Sequence, residues 1–425
     1  MLDPKFIREN IDLVKKAIAD KGEKADLGPF LELDAKRRAM VQEVEALKAQ
    51  RNSVSEEIAR LKKEKSPEAD KKIVEMRQVG DQIKALDDEL RTVEEKLSEA
   101  TLALPNLPDP SVPVGKDESE NVVDRTVGQE KKFDFAPKPH WDLGEKLGIV
   151  DFERGAKISG SRFYLLKGAG ARLQRALIAW MLDVHTRQSG YTEIYPPYMV
   201  NGKCLVGTGQ LPKFADTVYR DIEEDFWWVP TAEVPVTNMY GGEILDGSLL
   251  PINHVAYTAC FRREKMSAGK DVRGIKRGHQ FDKVELVKFV LPENSNQELD
   301  KLIADAEKIP QALGFKYRIL KMCTGDLGFT AAKKYDIEIW AEGCKEWLEV
   351  SSCSNFGDFQ ARRANIKFRR DPKGKPEFVH TLNGSGLALP RTMIAVMENY
   401  QNADGSITVP EVLRPYMGMD VIRQN

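Results

Sequence analysis

Cysteine is scarce in this chain and badly placed for metal. Five cysteines, Cys204, Cys260, Cys323, Cys344 and Cys353, occur among 425 residues. They form no C-x-x-C pair and have no histidine at ligand spacing, so no zinc is expected. Their odd number, and the lack of a leader-like segment at MLDPKFIREN, fit a reducing cytoplasmic compartment. The five histidines, at positions 140, 185, 254, 279 and 380, are scattered and give no support to histidine acid–base chemistry. No stretch approaches the roughly 18 apolar residues of a membrane span, so no membrane partner is expected. There is no G-x-x-x-x-G-K-[ST] and no G-x-G-x-x-G between strand and helix, which removes P-loop and Rossmann nucleotide sites. An excess of charge of one sign is missing as well. A net charge of -2 rules out a uniformly basic nucleic-acid binder, although local basic surfaces fit within a balanced total.

What is present changes character along the chain. The first hundred residues are rich in Lys, Glu, Ala and Leu and hold neither Cys nor Trp. Leu33, Arg37, Met40, Val44, Leu47, Arg51, Val54, Ile58 and Leu61 follow an alternating four-three spacing, a heptad seam with two arginine interruptions. Met76, Val79, Ile83, Leu86, Leu90, Val93, Leu97, Ala100 and Leu104 repeat it without interruption. A Ser-Pro step between the two runs disfavours one continuous helix, so the spacing predicts an antiparallel coiled-coil hairpin. Lys62, Lys63, Lys65, Lys71 and Lys72 crowd its tip. A dimerisation coil is the plainer reading of such an arm; the hairpin already supplies its own partner helix, and a lysine-rich end suits a phosphate backbone.

Pro105 to Gly115 is a Pro-rich boundary. Beyond it, short strands alternate with amphipathic helices, predicting a mixed, largely antiparallel sheet flanked by helices. The segment FRREKMSAGKDVRGIKRGHQFDKVELVKF, Phe261 to Phe289, reads as strand, long charged loop, strand. Paired antiparallel, it would put Arg262 and Glu264 on one face of the outgoing strand, with Phe281, Lys283 and Glu285 on one face of the returning one. Such a face offers a cation for phosphate, a ring for a base and a carboxylate for an ammonium; the plainer alternative is a surface ion pair beside a core ring.

Three other segments carry chemistry. Thr231, Ala232 and Glu233 sit in VPTAEVPV between two expected buried strands, where the Glu would need a cationic partner. Glu349, Val350, Ser351 and Ser352 end another strand and combine carboxylate with hydroxyl in the manner of a Mg²⁺ site. NGSGLALPRT places Asn383 and Ser385 in a turn before Arg391 at a helix start. A structural ion pair, a strand-end cap and a helix N-terminus are the respective alternatives.

GYTEIYPP, FRRE with GHQFDKVE, and NGSGLALPRTMIAVMENYQ together resemble motifs 1, 2 and 3 of the class II aminoacyl-tRNA synthetases. The TAE triplet, EVSSCSNFGDFQARR and the N-terminal hairpin are similar to the bacterial-type seryl-tRNA synthetases over essentially the whole chain. KMSAG at Lys265 resembles a class I signature loop but lacks the accompanying His-rich motif, so it is set aside.

The resemblance implies an α+β protein: an antiparallel two-helix arm plus a class II catalytic domain with a mainly antiparallel sheet. It implies a tRNA-binding domain over 1–104, a linker over 105–115 and a catalytic domain over 116–425. It implies an ATP-dependent ligase, acting as a homodimer, that joins L-serine to serine tRNA through an adenylate and leaves selenocysteine tRNA open as a second acceptor. Arg262 would meet the α-phosphate of ATP and Arg391 the γ-phosphate, these two being the catalytic arginines. Arg263, Glu264, Gly278, Phe281, Val350 and Ser351 would complete the ATP site, and Glu349 with Ser352 would hold Mg²⁺. Thr231, Ala232, Glu233, Arg262, Glu285, Asn383 and Ser385 would surround serine. Pro390 stands where relatives also carry glycine, and the first helical turn tolerates it.

Overall fold

The computed structural model describes residues 1–265 and 273–424. Most of the KMSAG stretch and the middle of the charged loop lie outside the described residues. The chain clusters into two compact units, residues 1–19 with 23–105 and residues 20–22 with 106–425. Among the described residues no helix is long and apolar enough to cross a membrane.

The first unit is built on two antiparallel helices, α1 (Gly28–Lys63) and α2 (Glu68–Leu102). The heptads explain them: Met40, Val44 and Leu61 on one helix, and Ile83, Val93 and Leu97 on the other, are the buried residues of the seam. Of the two arginine interruptions, Arg37 reaches Glu94 at 2.8 Å, while Arg51 stays exposed. Lys36–Glu89 and Lys48–Asp87, at 2.7 and 3.2 Å, also join the helices. These pairs are exposed and help fix register more than stability. Helix α1 runs 36 residues, about 54 Å at 1.5 Å per residue. The chain reverses at Lys65, whose φ is 52°, ahead of Ser66 and Pro67. At this tip Lys62, Lys63, Lys65 and Lys71 are exposed, and Lys72 pairs with Glu57 at 2.5 Å.

The second unit is organised by an eight-stranded sheet. Its strands are β1 (Val122–Val127), β2 (Thr192–Ile194), β3 (Ile252–Phe261), β4 (Gln280–Val290), β5 (Tyr317–Lys321), β6 (Lys333–Ala341), β7 (Glu346–Asn355) and β8 (His380–Ala388). They lie in the order β1-β5-β6-β7-β8-β4-β3-β2. Every neighbouring pair is antiparallel except β2 with β3.

Alternation along β4 shows how the two faces are used. Val284 and Leu286 enter the main core with Leu173, Leu177, Trp180 and Met181 of the helix Ala169–Ser189 and Met393 and Val396 of the helix Leu389–Asn399. The helices in this unit that bear on the site are α3 (His140–Lys146), α4 (Ala169–Ser189), α5 (Glu233–Asn238), α6 (Ser295–Ala312), α7 (Phe359–Ala364) and α8 (Leu389–Asn399). On the opposite face of β4, Val287 and Phe289 join a second apolar cluster with Val236 of α5 and Ala361 of α7. Ahead of that cluster the same face carries Phe281, Lys283 and Glu285, and there it opens into a cleft.

Candidate active site

The register of the central strands assembles the first wall. Ser385 of β8 lies opposite Glu285 of β4, and Ala256 of β3 lies on its other side. The Glu285 carboxylate accepts from Asn383 Nδ2 at 3.0 Å and Ser385 Oγ at 3.3 Å. Lys283 Nζ pairs with it at 2.6 Å. A buried carboxylate needs such partners, and these are aimed at it by strand spacing alone. The sequence pattern places Asn383 and Ser385 in a turn, and the structure corrects this. NGSG is the inside of β8, because Gly384 and Gly386 admit close neighbours: a Cβ at Gly384 would meet Cys353 Sγ at 2.9 Å, and one at Gly386 would meet His185 Nε2 at 2.6 Å.

A second correction concerns Arg262 and Glu264. Strand β3 ends at Phe261, so neither residue lies on it, and Glu264 takes φ 47°. Arg262 Nε donates to Pro230 O at 3.2 Å, which holds its guanidinium 5.0 Å from the centre of the Phe281 ring. Glu264 instead meets Arg277 at 3.7 Å across the loop base. Gly278 is a point of close approach, since a Cβ there would come within 3.0 Å of Gln280 O and 3.3 Å of Arg162 O. Arg263 points elsewhere: it is exposed and lies 5.2 Å from the Tyr219 ring.

The strand Phe226–Trp228 precedes the TAE triplet as expected, but the triplet opens the short helix α5 where a second strand was expected. The Thr231 hydroxyl accepts from Glu233 N at 3.4 Å, which begins the turn. Among the described residues no cation is bonded to Glu233. Its partner is the Gln360 amide, donating at 2.5 Å, with Gln360 held in turn by Thr381 Oγ1 at 2.7 Å. Burial first, and the Glu285 carboxylate second, push Glu233 up to about 7, against the Gln360 bond and the charges of Lys283 and Arg262. Ala232 is fully buried in the apolar cluster with Val287 and Phe289, so its side chain does not face the cleft.

Strand β7 makes the opposite wall. Glu349 keeps 46% of its side chain open and lies 3.4 Å from Arg391 Nη1. Burial raises its pKa, but Arg391, Lys334, Arg262 and Arg277 together outweigh that and hold it below the usual carboxylate range. Ser352 stands opposite Asp336 of β6, whose carboxyl is raised by burial despite Lys334 at 3.9 Å. Ser351 Oγ donates to Ser385 O at 2.6 Å, tying this wall to the first. Val350 is almost wholly buried in the main core. Arg391 projects from the first turn of α8, whose start accepts Pro390.

These groups line one cleft of about 660 Å³: Thr231, Glu233, Arg262, Glu264, Gly278, Phe281, Glu285, Glu349, Val350, Ser351, Ser352, Asn383, Ser385 and Arg391. Of the residues proposed from the sequence, Ala232 and Arg263 are not among its lining. The sequence reading gave no role to Lys283, Lys334, Arg277 and Gln360. Lys283 was detectable, since it shares the alternation of Phe281 and Glu285. Gln360 carries no local signal, because its partner Glu233 is 127 residues away.

Residues 1–108 match the family profile of the seryl-tRNA synthetase N-terminal domain, and residues 216–400 that of the tRNA synthetase class II core domain (G, H, P, S and T). The chain is 62% identical to a serine–tRNA ligase of Dehalococcoides mccartyi over 423 residues, covering 100% of both chains. It is 60% identical to one from a Roseiflexus species over 426 residues, again covering 100% of both. Its fold is similar to the crystal structure of seryl-tRNA synthetase from Pyrococcus horikoshii complexed with ATP, with a TM-score of 0.93, 40% identity and 100% of each chain covered.

Proposed function

Because the chain belongs to the seryl-tRNA synthetase family, we propose that it activates L-serine with ATP and transfers the seryl group to the 3′-terminal adenosine of serine tRNA. One observation carries this reading: a single cleft holds two arginines for phosphate, Arg262 and Arg391, beside two carboxylates for an ammonium group, Glu233 and Glu285.

In the first half-reaction the serine carboxylate attacks the α-phosphorus of ATP and pyrophosphate leaves. Arg262 stabilises the charge that gathers on the α-phosphoryl oxygens, and Arg391 holds the γ-phosphate so that the leaving group stays in line. Phe281 offers its face to adenine, while Glu264 accepts from the adenine amino group and Gly278 leaves room for the base. The serine ammonium sits between Glu233 and Glu285, and Asn383 and Ser385 keep the Glu285 oxygens oriented. Thr231 completes the pocket. Polar groups that read the serine hydroxyl reject alanine strongly, since they would be left unpaired. Glu349 and Ser352 present hard oxygen donors with the carboxylate open to the cleft, a set that fits Mg²⁺, which would supply positive charge against the triphosphate.

Acting outside the anticodon, the arm of α1 and α2 reads tRNA by shape and backbone, which suits a helical RNA element whose bases are hidden. On this reading residues 1–104 bind tRNA, 105–115 link, and 116–425 catalyse, within a cytoplasmic homodimer. Serine-dependent exchange of pyrophosphate into ATP tests the activation step. Absence of exchange with serine, or faster exchange with another amino acid, sinks the assignment. Charging assays with serine and selenocysteine tRNAs side by side decide whether the second acceptor is taken.

A further inference from the structure

Outside the cleft, one buried carboxylate on a wall helix bonds directly to a second piece of the wall and, through a histidine, to a third. Glu398 lies in the last turn of α8, the helix whose first turn carries Arg391, and is fully buried. Its Oε2 accepts from Gly343 N and Cys344 N, both at 2.9 Å, in the turn joining β6 to β7, the hairpin that carries Lys334 and Glu349. Its Oε1 accepts from His140 N at 2.9 Å, His140 Nδ1 at 2.8 Å and Cys344 Sγ at 3.0 Å. His140, also fully buried, turns its other ring nitrogen to the loop, where Nε2 accepts from Ile275 N at 3.2 Å. That bond fixes the tautomer, with the proton on Nδ1 facing Glu398. Ile275 lies two residues before Arg277 and three before Gly278.

His140, Cys344 and Glu398 fall within 4.8 Å of one another. Every donor of the trio is already directed at the one carboxylate, so they form a hydrogen-bonded hub and not a vacant cation site. The fit on the loop side is close: Gly274 has φ 80°, and a Cβ there would lie 2.0 Å from His140 Nε2. Next to it, Trp141 carries the Arg273 guanidinium over its ring at 4.8 Å. The main chain at Lys138 is pinned by Gln401, with bonds of 2.8 and 2.9 Å.

We propose that His140, oriented by Glu398, is a positioning residue for the nucleotide half of the cleft: it sets the segment Gly274–Gly278, and so Arg277 and Gly278, against the helix bearing Arg391 and the hairpin bearing Glu349. This role rests on the synthetase reading above. It predicts a defect that falls on ATP and spares serine, because the serine-facing groups Glu233, Glu285, Asn383 and Ser385 make no contact with the hub.

The test is serine-dependent pyrophosphate exchange on the full chain, with kcat and the KM values for ATP and serine measured separately and thermal unfolding followed in parallel. H140F removes both ring nitrogens; H140Q keeps one donor and one acceptor at similar spacing; G274A crowds the contact from the loop side while replacing neither His140 nor Glu398. H140F is expected to raise the KM for ATP about fivefold or more with the KM for serine within about twofold. G274A should reproduce that split, and H140Q should recover most of the wild-type value. Where H140F does not fold, G274A decides. An unchanged KM for ATP in G274A overturns the proposal, as do equal rises in the KM values for ATP and serine. A wild-type chain inactive with serine overturns the synthetase reading, and this role with it.

Discussion

At the scale of single residues, the proposed function divides the cleft by charge, with arginines for phosphate and carboxylates for the ammonium group. Arg262 sits where the two meet, 5.0 Å from the Phe281 ring and anchored by Pro230 O. Arg262→Ala is expected to lower the exchange kcat by about 10²- to 10³-fold, the usual loss for one preorganised group at a developing negative charge. The same substitution should leave the thermal midpoint nearly unchanged, since the side chain is partly exposed. Glu233 makes a different prediction. Burial and Glu285 push its pKa up to about 7, so below that pH the empty pocket holds a proton that a serine ammonium must displace. The KM for serine should therefore rise as pH falls below about 7, approaching tenfold per unit at the acid end, while the KM for ATP stays flatter. A pH-independent KM for serine between pH 5.5 and 8 would contradict the placement of the ammonium at Glu233.

At the scale of elements, periodicity made most of the site's scaffold legible. The alternation in HQFDKVELVKFV gave β4 and the shared face of Phe281, Lys283 and Glu285, because a strand leaves no other arrangement. Apolar spacing in LPRTMIAVMENYQ gave α8. The NGSG segment was misread because glycine and asparagine favour turns locally, while here the sheet requires glycine where Cys353 and His185 press against the strand. Gly384→Ala tests that demand. The added methyl group would meet Cys353 Sγ at 2.9 Å and Leu302 at 3.0 Å, and overpacking of this kind costs about 1–3 kcal/mol. Because Asn383 and Ser385 flank the position, a higher KM for serine is expected along with a lower unfolding midpoint, read by exchange kinetics and denaturant titration.

For the whole molecule, the proposed function gives activation and RNA recognition to different units. The arm's seam is closed on itself by Met40, Val44, Leu61, Ile83, Val93 and Leu97, so shortening both helices together removes facing residues in pairs. Replacing residues 41–90 by a short turn is expected to reduce serine tRNA charging by at least about 10²-fold while pyrophosphate exchange stays within about threefold. Loss of both activities together would refute the division of labour, and full charging by the shortened chain would refute the role of the arm.

The sequence by itself determined the local and the repeating. Two heptad runs broken at Ser66 and Pro67 dictated a hairpin, and the motif segments marked Arg262, Glu285, Glu349 and Arg391 before any neighbour was known. Only the tertiary structure decided what each of these groups faces. Gln360 reaches Glu233 across 127 residues and His140 reaches Glu398 across 258, so neither pairing leaves a trace in nearby spacing. The same limit explains the wrong partner expected for Glu233. A linear pattern shows that a buried carboxylate must be compensated, but an amide from α7 and a raised pKa meet that need as well as a cation does, and packing made the choice.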